Sequence, residues 1–459
     1  MNLYLPVEVK TRELTAKILI AIKTLDFNYN VYIGTKVSVN SLVLNKQHKE
    51  GIYLYSGGLD LKSLKAIKEK CDYFVILDEE FGPAISDWDM IGTRISHKTL
   101  PMIDGLCVIG QFAQSAAMQQ YPEIKNLIHK TGWPRIDLWD EKYKPMYQDK
   151  VNQITSKYGS FILFSSDFGL LSESRIIKSK EFLLSSHDYE KTVNLANKIT
   201  EDSNKNIQEF IDFVATLKKI DNYLDIKIII RPHPVEEISV WKKMTRGLKN
   251  IYVVYEGDST EWILASSGVI HRGCTSAVHA YFSGIKVGFV SFSKNSVKRA
   301  NALPFKLSEH IINEKKLIEF CNRKNHACKT LEGHQHYYEN TIYSDNEIES
   351  SQMIAEYLYT NFKSTEDIDI KISKILALKV ILKSHYIHFK SKLKIITFSK
   401  NYVTTPISQK IPGGIKLSEV KRIVSFLSNN DISVKRVMKN LMKIQQKNNA
   451  DNHFSKKSI

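Results

Sequence analysis

Through the first 290 residues, short apolar runs alternate with longer stretches in which apolar side chains recur every three or four positions. Residues 3–5 form an apolar run, and residues 11–25 then place Leu14, Ile18, Ile22 and Leu25 at helical spacing. Runs at 31–33 and 52–55 end in Gly34 and in Gly57-Gly58, and a helical segment at 61–70 leads into an apolar run at 73–77. A run at 105–109 precedes a helix that starts at Gln111, and the breaker-rich Thr131-Gly-Trp-Pro-Arg-Ile-Asp137 closes this part. Apolar runs of this length, bounded by glycine or charge, read as buried strands, and the periodic stretches between them as covering helices. Such alternation predicts a mostly parallel sheet.

A charged, linker-like stretch at 140–158 is followed by a second alternation. Strands are predicted at 161–165, 226–230, 251–254, 268–270 and 286–290, with helices at 188–219, 238–246, 260–265 and 275–282. The expected fold class is therefore α/β: two Rossmann-type parallel-sheet domains, 1–145 and 146–330, facing a cleft. That is the GT-B plan of many nucleotide-sugar transferases, a plan that does not by itself give the chemistry. Beyond about residue 301 the pattern turns irregular and then mostly helical, which predicts a helical basic extension over 331–445 and a disordered tail at 446–459. Within it, Ile and Leu alternate with Lys over 369–397, where Tyr386 and Phe389 also lie. Two readings stand for this stretch: a basic amphipathic helix on a membrane surface, or a helix packed on the domain with solvated lysines.

Charge narrows the partners. The 459 residues carry 65 Lys and Arg against 49 Asp and Glu, a formal charge of +16. The excess points to an anionic partner, although a generally lysine-rich proteome gives the same balance. No zinc-finger spacing, basic zipper or RNP-like aromatic strand is present, so nucleic acid is not expected. The five cysteines are scattered and form no C-x-x-C, which argues against a disulfide framework or a zinc site. The amino terminus has no signal-peptide pattern and no apolar run reaches the length of a membrane span. A cytoplasmic protein is expected, at most peripheral at the inner face of the cytoplasmic membrane.

The chemistry concentrates where predicted strands end. Arg231-Pro-His-Pro234 follows the run 226–230. Two prolines stiffen the turn and prevent the strand from continuing. Arg231 offers a planar fork suited to phosphate oxygens, and His233 can donate or shuttle a proton. A second strand ends at His271, Gly273 permits a tight turn, and Thr275 and Ser276 open a helix, a pattern that reads as a phosphate site or as an ordinary cap. Between them, Glu256 and Glu261 are candidates for ribose hydroxyls, while Asp258 and Ser259 read as a helix cap. In the first half Asp78-Glu79-Glu80 follows an apolar run; crowded carboxylates suit a general base or nucleophile. Arg12 and Glu13 are candidates to face the same cleft, and for Glu13 the alternative is that it serves the N-terminus of the first helix. Asp87-Trp-Asp89 and the pair His334 and His336 have no companion ligands and read as loops, so no metal site is expected. No P-loop, nucleophile elbow or zinc-protease motif is present.

The ordered set of motifs resembles a bacterial family of surface carbohydrate (surface polysaccharide) biosynthesis proteins. The landmarks are Arg12-Glu13-Leu14, Asp78-Glu79-Glu80-Phe-Gly82, Gly132-Trp-Pro-Arg-Ile-Asp-Leu138, Ser165-Ser-Asp-Phe-Gly169, Arg231-Pro-His-Pro234, Trp262-Ile263, His271-Arg-Gly-Cys-Thr-Ser276 and Lys410-Ile-Pro-Gly-Gly with Leu417-Ser-Glu-Val. The set spans most of the chain to about residue 427. More distantly, the His-Pro pair and the Thr-Ser helix start look like the CMP site of GT-B sialyl- and Kdo-transferases. The Gly-x-Pro-Arg and Arg-Pro-His-Pro elements look like CDP-glycerol glycerophosphotransferases. Here His279 stands where those relatives usually carry an acid, and Gly132-Trp133 replaces a more usual Gly-Asn. The resemblance implies a glycosyltransferase with a CMP-sugar donor of Kdo or nonulosonic acid type, a glycan or glycolipid acceptor and no required cofactor. It implies an acceptor-side first domain and a nucleotide-donor second domain. Arg231, His233, Thr275 and Ser276 would hold the phosphate, with Glu256, Glu261 and His271 beside it. Glu79 or Glu80 would act as base or nucleophile and His233 at the leaving group. A CDP-polyol phosphotransferase and a non-catalytic nucleotide-sugar binder are the alternatives.

Overall fold

The computed structural model describes residues 1–57, 61–81, 95–169, 171, 176–177, 181, 189–233, 236–292, 303–323, 341–342, 348–363, 378, 382, 386 and 410–447. The first half forms six parallel strands: β1 (Asn2–Val7), β2 (Asn30–Thr35), β3 (Ile52–Tyr55), β4 (Tyr73–Asp78), β5 (Gly105–Val108) and β6 (Ile128–Lys130). They lie in the order β2-β1-β3-β4-β5-β6. Leu3 is flanked by Val31 on one side and Ile52 on the other. Every residue of β1 is buried, because helices cover both faces, which is why the strand carries no alternating polar face. The helix Lys10–Leu25 sets Leu14, Ile18, Ile22 and Leu25 into one of the two apolar clusters of this half.

The same cluster receives Ile354 and Leu358 of the helix Ser350–Asn361, and Val420, Ile423 and Val424 of the helix Leu417–Leu427. The chain thus returns to its first domain. A hairpin of β13 (Ile432–Met438) and β14 (Leu441–Gln446) follows there, with β14 antiparallel to β2 and Ile444 opposite Val31. The mostly helical extension expected over 331–445 therefore misses two strands. Their docking depends on Gly34, since a Cβ there would collide with the Asn440 carbonyl, which accepts from Thr35 N at 3.0 Å. Asn440 itself turns the hairpin at φ 59°. The new sheet edge, β13, exposes Lys435 and Arg436, charges that discourage further strand pairing.

The second half repeats the plan with β7 (Phe161–Ser165), β8 (Lys227–Arg231), β9 (Ile251–Val253), β10 (Gly268–His271), β11 (Val287–Val290) and β12 (Glu309–Ile311). All pair in parallel, in the order β9-β8-β7-β10-β11-β12. The strand order reverses between β7 and β10. The crevice beyond the carboxyl ends at such a switch point is where doubly wound sheets take ligands. The long helix Tyr189–Ile220 covers one face, packing Phe210, Phe213 and Leu217 around Phe164 and Trp241. The charged stretch read as a linker is the helix Gln148–Tyr158, with Ile154 buried and Lys150 and Lys157 outward.

The molecule is thus α/β, with two mainly parallel sheets in a GT-B-like arrangement. The halves are packed together: Val278, Leu303 and Leu307 of the second join the apolar cluster of Trp133 and Trp139. Among the described residues no helix is long and apolar enough to cross a membrane, and no group of three potential metal ligands occurs. Asp87, Asp89, His334, His336, the tail from 448 and most of 369–397 lie outside the described residues.

Candidate active site at the junction of the two sheets

At the end of β4 the three carboxylates take three different roles, which relieves their mutual repulsion. Asp78 turns back on its own chain, its Oδ1 accepting from Glu80 N at 2.9 Å and Phe81 N at 3.1 Å. Glu80 accepts from Arg12 Nη1 at 2.9 Å. Glu79 Oε1 is buried and has no hydrogen-bond partner among the described residues. Burial pushes the Glu79 carboxyl above its ordinary range, against the pull of the Arg135 charge. Glu13 is fully enclosed at the start of the first helix, where it accepts from Glu8 N and Val9 N, both at 3.0 Å, and pairs with Lys17 at 2.8 Å. Burial raises its pKa, but Lys17 and Arg12 outweigh that and hold it low. Of the two readings for Glu13, the helix-end role is the one its contacts show.

In the second half, Arg231 closes β8 and donates to the carbonyls of Glu256 at 2.5 Å and Gly257 at 2.7 Å. Two of its five N–H groups thus shape the loop after β9. The Glu256 side chain is 63 % exposed and lies 3.7 Å from Lys157. Asp258 caps the helix Ser259–Ala265, accepting from Thr260 N at 2.9 Å, and Glu261 completes a capping box by accepting from Asp258 N at 3.2 Å. Glu261, expected at the ribose, is therefore engaged in the helix end for a local reason: it stands three residues after the cap.

His271, expected among the binding residues, is 0 % exposed. Its Nδ1 accepts from Gly273 N at 2.9 Å, so its proton sits on Nε2 and is donated to Ser308 Oγ at 2.7 Å; Ser308 passes its own on to Pro304 O at 2.6 Å. Burial holds the imidazole neutral, with a pKa lowered to about 3. His271 thus shapes the turn, with Gly273 at φ 120°, that presents Cys274, Thr275 and Ser276. Thr275 makes no side-chain cap. Ser276 Oγ is buried beside the Cys274 thiol and has no other polar partner among the described residues. His233 is half-buried in the turn after β8, its carbonyl accepting from Glu236 N at 2.8 Å.

Three groups were quoted within motifs or passed over in the sequence, yet hold central positions. Glu236 is enclosed, accepts from Ser166 Oγ, Phe168 N at 2.6 Å and Trp241 Nε1 at 2.7 Å, and is pushed up to about 7 by burial. It ties the loop after β7 to the turn after β8. Asp167 stands in that first loop, within electrostatic reach of Cys274. Arg135 lies where the halves meet, its guanidinium 5.2 Å from the Trp133 ring and within electrostatic reach of Glu79, Asp258 and Cys274. A Gly-x-Pro-Arg string just past β6 was the available signal for Arg135; for Glu236 local sequence carried none.

Asp137, two residues on, accepts from Ser350 N at 3.0 Å and Ser351 N at 2.7 Å, so it pins the returning chain. The junction itself is aromatic: Trp133 meets Trp139 edge-on at 5.4 Å, and Trp139 lies on His279. The arrangement brings together a carboxylate with one buried oxygen and a guanidinium that lies within electrostatic reach of the loop that carries hydroxyls at the switch point, a set able to bind an anion and take a proton from a hydroxyl.

No family model and no curated protein sequence matches the chain. Among solved structures it is similar to the UDP-GlcNAc 2-epimerase of Methanocaldococcus jannaschii, with 12% identity, 78% of this chain and 100% of that one covered, and a TM-score of 0.45. A variant of the wall teichoic acid polymerase TagF gives 10% identity, 78% and 88% coverage and a TM-score of 0.45. The UDP-N-acetylglucosamine 2-epimerase of Rickettsia bellii gives 9% identity, 87% and 99% coverage and a TM-score of 0.41.

Proposed function

We propose that the protein is a transferase of surface-glycan synthesis that moves a group from a cytidine-nucleotide donor to an acceptor hydroxyl. The observation that carries this reading is the Glu79 carboxylate at the end of β4, one oxygen of which is buried with no hydrogen-bond partner among the described residues, within electrostatic reach of Arg135 where the two sheets meet. A carboxylate with a raised pKa and no hydrogen bond to satisfy it suits a general base. The nucleotide would sit at the β7–β10 switch point, its phosphate against Thr275 and Ser276 with His233 and Arg231 at the adjoining strand end. Glu79 takes the acceptor's proton, the acceptor oxygen attacks the donor, and the bond to the nucleotide phosphate breaks. His233 stabilises or protonates that departing phosphate as charge develops on it.

The motif resemblance supports cytidine and leaves two donor types. With a CMP-linked acidic sugar of Kdo or nonulosonic acid type, attack is at carbon and the product carries a new glycosidic bond. With a CDP-polyol, attack is at phosphorus and the product carries a phosphodiester. A guanidinium beside the base suits a phosphoryl group in flight, which favours the polyol form. Neither path needs a metal to be written. Leu378, Leu382 and Tyr386 are each helical and exposed, apolar groups by which the protein would touch a membrane carrying a lipid-linked acceptor.

Calorimetric titration with CMP, CDP, UDP and GDP tests the donor. Selective binding of a cytidine nucleotide is expected. Preference for uridine or guanine nucleotides overturns the cytidine assignment, and nucleotide binding without turnover on any acceptor favours a non-catalytic binder. A phosphorus signal in the product separates the two donor types.

A further inference from the structure

Four buried polar atoms have no hydrogen-bond partner among the described residues, three on side chains that interact with Arg135 and one beside Cys274, which does: Glu79 Oε1, Trp133 Nε1 and His279 Nε2, and Ser276 Oγ. Buried polar atoms are normally satisfied, so each such atom asks for an explanation. One or two are ordinary; four connected in this way to a single guanidinium, drawn from both halves of the molecule, are not explained by packing. The guanidinium rests on the Trp133 face and donates no hydrogen bond among the described residues. It attracts Glu79 without coming within ion-pair distance of it. A part-buried cation that donates to no described residue is well placed to meet an anion.

We infer that Arg135 forms an oxyanion subsite that takes the negatively charged part of the transferred group, between the Glu79 base and the nucleotide phosphate that Ser276 would hold. The subsite rests on the reading of the cleft given under Proposed function and deepens it. It requires that the transferred group be anionic, as a carboxylate-bearing sugar or a polyol phosphate is, and it disfavours neutral sugars. Trp133 Nε1 and His279 Nε2 supply further polar contacts at its wall. Lysine at 135 keeps the charge but loses the forked geometry that two oxygens of one group accept.

The test is titration of wild type, Arg135→Ala and Arg135→Lys with CMP, CDP-glycerol, CMP-N-acetylneuraminic acid and inorganic phosphate, with melting temperatures recorded for all three proteins. Wild type should bind one of the two anion-bearing donors more tightly than CMP, and which one identifies the source of the anion. Arg135→Ala should lose about tenfold to a hundredfold in affinity for that donor, as removal of a charge-assisted hydrogen bond does. Its affinity for CMP should stay within about twofold, its melting temperature should not fall, and Arg135→Lys should recover part of the loss. Unchanged donor binding in Arg135→Ala overturns the subsite and leaves the nucleotide reading standing. An equal loss for CMP and donor also overturns it, since Arg135 would then hold the nucleotide phosphate. If wild type binds no cytidine compound, the nucleotide reading falls. Arg135 is then upheld by inorganic phosphate binding that Arg135→Ala abolishes, and is overturned by its persistence or absence in wild type.

Discussion

The imidazole of His279 lies flat on the indole of Trp139, with ring centroids 4.5 Å apart and planes 9° from parallel. The two rings come from different halves of the chain, so the stack is part of what holds the junction closed around Arg135. Burial, with Arg135 and Lys144 adding to it, holds His279 well below the ordinary histidine range, and a neutral ring stacks without bringing a second cation to the site. Trp139→Ala should cost about 3–5 kcal/mol, the usual range for removing a buried aromatic. His279→Ala should cost less, and a double-mutant cycle followed by urea unfolding should return a coupling of about 1 kcal/mol. Strict additivity would show that the stack contributes nothing beyond the burial of each ring.

Glu79 and Glu80 are neighbours in sequence with different surroundings, and their substitutions should separate. Glu79→Gln should lower kcat by about 10²–10⁴-fold while leaving donor affinity intact, as loss of a general base does. Glu80→Gln, which only weakens a half-exposed pair with Arg12, should have a smaller effect. Because burial raises the Glu79 pKa, the rate should climb with pH through a pKa above the ordinary value near 4.3. A rate profile whose acid limb follows an unshifted carboxylate, or that persists in Glu79→Gln, would remove Glu79 as the base.

Glu236 and the buried histidines should act on stability in opposite pH directions. Glu236 titrates near 7 in the folded protein, above its unfolded value, so its favourable contribution is complete below about pH 4.5 and lost as pH rises through 7. The span corresponds to about 3 kcal/mol. Glu236→Gln should flatten this alkaline loss in denaturation curves taken from pH 5 to 8. His271, lowered to about 3, contributes stability above about pH 6.5 that is lost as pH falls toward 3. An alkaline limb that is the same in wild type and Glu236→Gln would assign that limb to another group.

The enclosed pair of Glu13 and Lys17 predicts asymmetric costs. Glu13→Ala leaves a buried ammonium unpaired, apart from the Pro6 carbonyl at 2.5 Å, and should destabilise by about 3–5 kcal/mol. Replacing both, as Glu13→Leu with Lys17→Met, should cost far less, because no charge is then stranded. Chemical denaturation of the single and double variants reads this directly. Equal losses in the two would mean that packing of the first helix, not its charges, sets the cost.

What sequence alone determined about this protein is what depends on neighbouring residues. Apolar runs of three to five residues between glycines and charges marked ten of the twelve parallel strands, all but the short β6 and β12, because strand length and the breakers that end it are local properties. The cap at Asp258 was legible for the same reason, and so was the clustering of chemistry at strand ends. Tertiary structure decided what depends on residues far apart in the chain. The hairpin at 432–446 joins the first sheet because β2 offers a free edge beside Gly34, a fact that lies some 400 residues away from it. His271 and Glu261 carry the residue types of a binding site but are taken up by Ser308 and by a helix end, and only the folded contacts tell those uses apart. Arg135 lay in plain view in its motif, yet its meaning comes from polar atoms with no partner among the described residues, most of them brought to it from distant segments. Hydrogen-bond satisfaction is a property of three-dimensional surroundings, and no reading along the chain can register its absence.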